Sequence, residues 1–264
     1  MKFTTCPTEA VDTLLEHGFA VVSGVFNVET LQLLRKECSL LSVQLSPENV
    51  NEVNSWSQDM VAEACFDGII KQGCIVQPLS PSDISDLEFS NLAEYKKFRN
   101  FNCLHGNNYL SQKICQSVFE NKKVREVLQM IFGDKYYLYN EQFIVKPPET
   151  ESKGLTRFPL HRDSDPADCD SAYTSLWIAL DDMTSSNGAL HALSYGNQKE
   201  GKRDDLENLF IKAGDIVLLA HDMWHGSNPN TSRDVRRAYM MQFSQMPMID
   251  SSTGKNVALA VPIS

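Results

Sequence analysis

The sequence has little positive charge and no long apolar stretch. Lys and Arg total 24 against 34 Asp and Glu, which gives a formal net charge of −10. The basic runs stay short, as in Lys96-Lys97. Nucleic acids and anionic membranes bind clustered basic residues, so neither partner is expected. No run approaches the roughly 18 apolar residues of a membrane span, and the segment Met1 to Cys6 lacks the apolar core of a secretory signal. We therefore expect a cytoplasmic protein.

Disulfide and zinc-ribbon patterns are also missing. The seven cysteines are an odd number and include no CxxC pair, so neither a disulfide framework nor a zinc ribbon is indicated. The metalloprotease pattern HExxH is absent as well. Reduced thiols in an enzyme of the cytosol are the expectation.

The length and composition are typical of one globular domain. The chain has 264 residues, of which 42% are hydrophobic and 22% charged, so we expect a single domain over residues 1–264. Its beginning predicts a helix from Val11 to Glu16, a strand at Phe19 to Val22 and a second helix capped by Asn27.

Residues 42–110 have no clear periodicity, with Ser, Asn and Pro scattered between short apolar islands. Long irregular segments of compact domains are often lids or binding loops, which predicts a lid or substrate-binding insertion here. A surface insertion without function is the alternative. Helical spacing returns from Tyr109 to Ile131, and Gly133 ends it.

After Gly133 the sequence changes to short apolar and aromatic runs separated by turn residues. The runs extend from Tyr136 to Val145, from Tyr173 to Leu180, from Asp215 to Leu219 and from Ala238 to Phe243. Many short strands with turns between them predict a jelly-roll type of sheet structure. The expected fold class is therefore α+β with a mainly β core, flanked by N-terminal helices.

The strongest candidate site begins at the segment Leu160-His161-Arg162-Asp163. On a strand, side chains two residues apart face the same side, so His161 and Asp163 can share a ligand. The pair alone is weak evidence for a metal site, because such pairs arise by chance. It gains weight from His225, which follows a later apolar run and directly precedes a turn. Two imidazoles and one carboxylate on one face of an iron leave positions open for a cosubstrate and O2. Zinc remains an alternative on ligand type alone.

An anion-binding residue follows the second histidine. Arg236 lies eleven residues after His225, where a guanidinium on a returning strand can grip a carboxylate through two parallel hydrogen bonds. Ser227 can add a hydroxyl donor to the same carboxylate. Together with the missing HExxH pattern, this arginine argues against a zinc hydrolase.

These motifs, in this order, resemble the phytanoyl-CoA dioxygenase (PhyH) family of iron(II)- and 2-oxoglutarate-dependent oxygenases. The matching segments besides the metal motif are Glu16 to Val22, Gln142 to Pro147, Trp177 to Asp182, Asn187 to Leu190, Ala213 to Asp215 and His225 to Ser227 with Arg236. The resemblance covers about residues 10–40 and 115–246. Where the family often has Pro-Gly-Ser-His, this chain has Leu193-Ser194-Tyr195-Gly196-Asn197, so the likeness does not extend to that loop.

The resemblance implies a double-stranded β-helix that binds Fe(II) and uses 2-oxoglutarate and O2 as cosubstrates. It implies the following roles: His161, Asp163 and His225 as metal ligands and catalytic centre, Arg236 and Ser227 on the distal carboxylate of 2-oxoglutarate, and Gln142 and Trp177 beside the cosubstrate. It also implies oxidation of a small molecule with release of succinate and CO2. Asp163 favours hydroxylation over halogenation, because related halogenases lack this carboxylate, whereas desaturation and cyclisation remain alternatives.

Three further residues are candidates for the substrate pocket. Arg157 flanks the metal motif, and Arg99 and His105 lie in the segment without a recognisable pattern. His221, four residues before His225, is expected to have a structural or supporting role. The alternatives to a small-molecule oxygenase are a protein or peptidyl hydroxylase on the same fold and a non-catalytic jelly-roll binding protein. The prime substrate and the oligomeric state stay open.

Overall fold

The computed structural model of the chain describes residues 3–44, 66, 68–80, 84, 87–149, 153–163, 173–199, 205–250 and 252–263. The helices include α1 (Pro7–His17), α2 (Val28–Gln44), α3 (Leu92–Asn102), α4 (Asn108–Phe119), α5 (Lys122–Phe132) and α6 (Tyr195–Lys199). The strands include β1 (Phe3–Thr4), β2 (Phe19–Val22), β3 (Ile75–Val76), β4 (Tyr136–Lys146), β5 (Phe158–His161), β6 (Tyr173–Ala179), β7 (Leu190–Ala192), β8 (Glu207–Leu209), β9 (Ile216–Ala220), β10 (His225–Ser227), β11 (Arg236–Ser244) and β12 (Val261–Ile263).

Two sheets form the core. The major sheet has the strand order β1-β2-β9-β6-β11-β4-β12, with β3 also paired to β4, and the minor sheet has the order β5-β10-β7-β8. Side chains of the two sheets meet in one buried cluster, where Trp177 and Val217 of the major sheet join Leu190 and Leu209 of the minor sheet. The expected α+β fold with a mainly β jelly-roll core is confirmed, as an open sandwich in the part of the chain that the structure describes.

The N-terminal helix–strand–helix prediction is confirmed, and its local causes are visible. Gly18 ends α1 in the left-handed region at φ 82°, which a residue with a side chain adopts only at a cost. The side chain of Asn27 caps α2, because its Oδ1 accepts a hydrogen bond from the backbone N–H of Thr30 at 2.9 Å.

The helical stretch predicted from Tyr109 to Ile131 is two helices rather than one. The side chain of Asn121 accepts a hydrogen bond from the N–H of Val124 and thereby starts α5. This local capping bond competes with continuation of α4. Gly133 ends α5 as expected, with φ 85°.

Much of the predicted lid lies outside the described residues. Its described part contributes β3, in which Ile75 pairs with Ile144 of the major sheet, and α3, which packs beside α4. The lid interpretation of residues 42–110 therefore stays a prediction. Among the described residues, helices long and apolar enough to cross a membrane are absent.

A buried ionic cluster joins the helices to the major sheet. Arg99 of α3 is fully buried and donates to Glu37 of α2 at 2.8 and 3.1 Å, and to Glu141 of β4 at 2.7 Å. Tyr95 and Tyr239 donate to the same Glu141 carboxylate. Burial would raise the pKa of Glu37, but the charge of Arg99 and hydrogen bonds from His105 and Arg99 lower it from 4.5 to about 2.

Candidate metal centre

Two neighbouring strands of the minor sheet bring the histidines together. His161 ends β5 and is paired directly with His225 of β10, so both imidazoles extend from the same face, with ring centroids 4.5 Å apart. Asp163 lies just after the end of β5. One ligand atom from each of the three residues falls within 4.8 Å of the others.

The hydrogen bonds of the two rings select the nitrogens that can bind a metal. His161 Nδ1 lies 2.7 Å from the carbonyl oxygen of Pro159, and His225 Nδ1 lies 3.0 Å from that of Met223. A carbonyl oxygen only accepts, so each Nδ1 carries the hydrogen. The lone pair of each Nε2 is therefore free, which is the usual arrangement of a metal-binding histidine.

The carboxylate of Asp163 faces both free nitrogens. Its Oδ1 lies 3.6 Å from His161 Nε2 and 3.3 Å from His225 Nε2, while Oδ2 accepts from Ser175 Oγ at 2.9 Å and Gln242 Nε2 at 3.3 Å. Burial would raise the pKa of Asp163, whereas a proton on His225 Nε2, in the place of a metal ion, would donate to the carboxylate and lower that pKa.

The three acceptor atoms fit a divalent cation. Two nitrogen lone pairs and an ionised oxygen that face one another are unfavourable unless a cation lies between them. Two imidazoles and one carboxylate with an open side form the facial arrangement typical of non-haem iron(II). The residues present therefore fit an iron ion.

A cavity of about 250 Å³ lies beside these atoms, and both Trp177 and Arg236 line it. The guanidinium of Arg236 lies 5.4 Å from the centroid of the Trp177 ring, and its Nη2 donates to the carbonyl oxygen of Gly188 at 2.9 Å. Among the described residues, the buried side-chain nitrogens and oxygens without a hydrogen-bond partner are Trp177 Nε1, Arg236 Nε and Arg236 Nη1. Unpaired buried donors are costly, so these three nitrogens call for an acceptor ligand such as a carboxylate.

Lys146 is a second buried basic side chain at this end of the cavity. Its Nζ donates to Ser227 Oγ at 2.6 Å and to the carbonyl oxygen of Asn228 at 2.5 Å. Burial and the nearby charge of Arg236 lower the pKa of Lys146 from 10.5 to about 6. Because Lys146 donates to Ser227 Oγ, the hydroxyl hydrogen of Ser227 is available for a ligand in the cavity, which Ser227 lines.

The structure does not bring the expected substrate residues to this cavity. Arg99 and His105 belong to the buried ionic cluster instead, and Arg157 is exposed and does not line the cavity. Sequence spacing could not distinguish a cation neutralised in the core from one that faces a ligand. None of the three side chains is therefore placed to contact a ligand in this cavity.

Glu37, Cys103 and His105 also lie close enough together to hold a metal. The backbone N–H of Asn107 donates to His105 Nδ1 at 2.9 Å, so Nε2 carries the ring hydrogen and donates to Glu37 at 2.7 Å. No nitrogen lone pair is left for a metal, and Arg99 already neutralises Glu37. This cluster is structural.

Two residues beside the metal motif face elsewhere. His221 packs against the ring of Tyr173 with centroids 5.7 Å apart and is not among the grouped ligand atoms. The guanidinium of Arg162 lies 4.8 Å from the centroid of the Trp224 ring. Neither side chain belongs to the grouped metal ligands.

Sequence reasoning missed the polar residues that surround the metal ligands. Asn140, Ser175 and Gln242 interrupt apolar strands, and Lys146 ends one. A polar residue at an inward position of a core strand was the available signal, because such a group needs a partner once it is buried.

Comparison with known proteins gives one family and a consistent fold. The family model described as phytanoyl-CoA dioxygenase (PhyH) matches residues 14–238. A relative from Dictyostelium discoideum, the phytanoyl-CoA dioxygenase domain-containing protein 1 homolog, is 23% identical, and the match covers 92% of both chains.

Solved structures of similar fold include one determined with 2-oxoglutarate and one of an enzyme that depends on α-ketoglutarate (2-oxoglutarate). EctD from S. alaskensis, determined with 2-oxoglutarate and 5-hydroxyectoine, has a TM-score of 0.59 at 14% identity, covering 99% of this chain and 89% of that chain. The non-haem α-ketoglutarate-dependent carbocyclase SnoK from nogalamycin biosynthesis has a TM-score of 0.56 at 13% identity, covering 91% and 85%. At these identities the likeness is one of fold.

Proposed function

Because the chain belongs to the phytanoyl-CoA dioxygenase (PhyH) family of iron(II)- and 2-oxoglutarate-dependent oxygenases, we propose that it oxidises a small molecule at an iron held by His161, Asp163 and His225. The enzyme class and the cofactors, Fe(II) and 2-oxoglutarate, follow from the family. The proposed outcome is hydroxylation, with release of succinate and CO2.

The single observation that carries the proposal is that one cavity has acceptor atoms without a cation at one end and donor atoms without an acceptor at the other. At one end, His161 Nε2, His225 Nε2 and Asp163 Oδ1 are acceptors that need a cation. At the other end, Arg236 and Trp177 present donors that need an acceptor. A metal and a dicarboxylate that chelates it satisfy both ends together.

The side chains that line the cavity then have defined roles. The bound iron with 2-oxoglutarate and O2 supplies the oxidising chemistry. Arg236 binds the distal carboxylate, with Ser227 donating its hydroxyl to the same group, and Trp177 donates its indole N–H beside them. The side chains of Ile75 and Tyr173 line the same cavity and add to its apolar wall.

The size and lining of the cavity support a small molecule as substrate. About 250 Å³ is close to the lower end of small-molecule sites. Its apolar lining comprises Ile75, Tyr139, Ile144, Phe158, Tyr173, Leu190, Leu219 and Met240. A peptidyl substrate would require an extended groove at the metal instead.

The direct test of the proposed function is 2-oxoglutarate turnover by anaerobically purified, iron(II)-loaded protein against a panel of metabolites. We expect succinate formation that one metabolite stimulates. Stimulation only by peptides would replace the small-molecule proposal with peptidyl hydroxylation. Activity that depends on zinc and not on 2-oxoglutarate would overturn it.

Replacement of Arg236 tests the cosubstrate end of the site. We expect Arg236→Gln to weaken the binding of 2-oxoglutarate to manganese(II)-loaded protein by about a hundredfold, because charge-assisted hydrogen bonds to a buried carboxylate are lost. Calorimetric titration of 2-oxoglutarate measures this constant without turnover.

Arg233→Gln is the matched control, because Arg233 is exposed in the same loop before β11. We expect this variant to bind 2-oxoglutarate like the wild type. Equal affinities of the Arg236→Gln and Arg233→Gln proteins would show that the carboxylate binds elsewhere.

The depressed pKa of Lys146 predicts a pH dependence of cosubstrate binding. An anion beside Arg236 favours the ammonium form of Lys146 and so raises its pKa above the free value of about 6. Proton uptake then accompanies binding, so affinity is full below about pH 6 and declines as the pH rises above it. We expect ~tenfold weaker 2-oxoglutarate binding at about pH 8 than at about pH 6.

Titrations in two buffers of different ionisation enthalpy measure this proton uptake directly. Lys146→Met should remove the pH dependence, whereas Lys122→Met, at a side chain that is 89% exposed, should leave it unchanged. Identical pH profiles of wild type and Lys146→Met would contradict the assignment.

A further inference from the structure

A row of hydrogen-bonded amides leads from the metal-binding carboxylate into the cavity. Gln242 Nε2 donates to Asp163 Oδ2 at 3.3 Å and to Ser175 Oγ at 3.1 Å. Asn140 Nδ2 in turn donates to Gln242 Oε1 at 3.1 Å and to Gln142 Oε1 at 3.3 Å. The row begins at an ion and ends at Gln142, which lines the cavity.

The ionised carboxylate determines the orientation of every amide in the row. Asp163 can only accept, so Gln242 must turn its NH2 group toward Asp163 and its carbonyl toward Asn140. Asn140 must then present its NH2 group to this carbonyl, and the same group meets the carbonyl of Gln142. The NH2 group of Gln142 is therefore left to face the cavity as a donor.

The strand register puts Gln142 between the two ends of the site. Asn140 is paired with Gln242, whose side chain contacts Asp163, and Lys146 is paired with Arg236. Gln142 lies two residues from Asn140 in the direction of Arg236, which is about 7 Å along the strand. A molecule that reaches from the metal to Arg236 passes this position.

We propose that Asn140 and Gln242 are positioning residues that couple the metal carboxylate to the cosubstrate. Gln242 and Ser175 occupy Oδ2 of Asp163, so only Oδ1 is left for the metal. Through Asn140, the same contacts hold Gln142 as a hydrogen-bond donor to an oxygen of 2-oxoglutarate. This inference rests on the proposed function, because it needs a metal and a dicarboxylate in the cavity.

A double-mutant cycle on Asn140 and Gln142 tests the cosubstrate half. In Asn140→Asp the new carboxylate only accepts, so it turns the NH2 group of Gln142 away from the cavity and leaves a carbonyl there. We expect 2-oxoglutarate to bind the manganese-loaded variant about tenfold more weakly. In the Gln142→Met background, the same change should cost no more than about threefold, because only the added charge acts.

A second cycle uses the metal alone. Asn140→Asp also turns the carbonyl of Gln242 toward Asp163, where two acceptors repel each other. We expect manganese(II), titrated without 2-oxoglutarate, to bind this variant about tenfold more weakly. A loss of this size is typical when a hydrogen bond that orients a metal ligand is disturbed. In the Gln242→Met background, Asn140→Asp should change manganese affinity by less than about threefold.

The outcomes separate this inference from the proposed function. Equal costs of Asn140→Asp in both backgrounds of either cycle would overturn the coupling, since a merely structural effect adds independently. Unchanged 2-oxoglutarate affinity in Gln142→Met would overturn the donor role of Gln142. Absence of 2-oxoglutarate binding to wild-type protein would instead contradict the proposed function. Unchanged thermal unfolding of the single variants verifies that they fold.

Discussion

Asp163→Ala is expected to abolish 2-oxoglutarate turnover and to weaken manganese(II) binding by more than a hundredfold. The substitution removes the only carboxylate among the grouped ligand atoms at this site and leaves two imidazoles to hold the ion. Loss of an outer contact alone costs up to about a hundredfold in metal affinity, so loss of a direct ligand should cost more. Calorimetry with manganese(II) and succinate formation with iron(II) measure the two effects.

Asp134→Ala is the control for this experiment, because Asp134 is exposed in the turn after α5. It should retain metal affinity and turnover. Turnover by Asp163→Ala at the wild-type rate would refute the assigned site. Loss of turnover with unchanged metal affinity would show that Asp163 acts on something other than the metal.

Arg99→Met is expected to lower the free energy of unfolding by about 3–5 kcal/mol, because it leaves two carboxylates buried without their cation. Glu37 and Glu141 both depend on Arg99. The side chain of Met is comparable in length, so lost charge rather than lost volume dominates. Urea unfolding, with the slope checked for change, measures the difference.

Arg125→Met is the matched control, since Arg125 is exposed on α5, and it should change stability by less than about 0.5 kcal/mol. A stable Arg99→Met protein with impaired turnover would restore Arg99 as a substrate contact.

The pKa of Glu37 adds a dependence of stability on pH. This pKa is lowered from 4.5 to about 2. The stabilisation by Glu37 is therefore fully present above about pH 4.5 and is lost as the pH falls from there to about 2.

The candidate metal ligands were accessible from the sequence because two of them are neighbours and because the order of the motifs, with His225 far downstream, resembles a known family. His161 and Asp163 are two residues apart, and His225 and Arg236 lie on either side of one turn. Strand geometry determines how such side chains project. The helix at Asn27 and the end of α1 at Gly18 were also predictable, since capping acts over a few residues.

Charged residues in the patternless segment were not interpretable in this way. Arg99 and His105 looked like candidates for ligand binding, yet they contact Glu37 of α2, more than sixty residues away in sequence. Whether a cation meets a ligand or a buried carboxylate depends on which helices pack together. Local patterns contain no information on that choice.

The amide row behind Asp163 shows most clearly which features the local sequence determines and which depend on tertiary packing. By itself, the sequence determined a mainly β fold, a chemically coherent set of candidate ligands and an arginine for a carboxylate. Only the tertiary structure decided that Gln242 and Ser175 reach Asp163 and that Asn140 joins Gln242 to Gln142. The physical reason is that projection along a strand follows from local backbone geometry, whereas hydrogen bonds between strands depend on register and on the packing of two sheets.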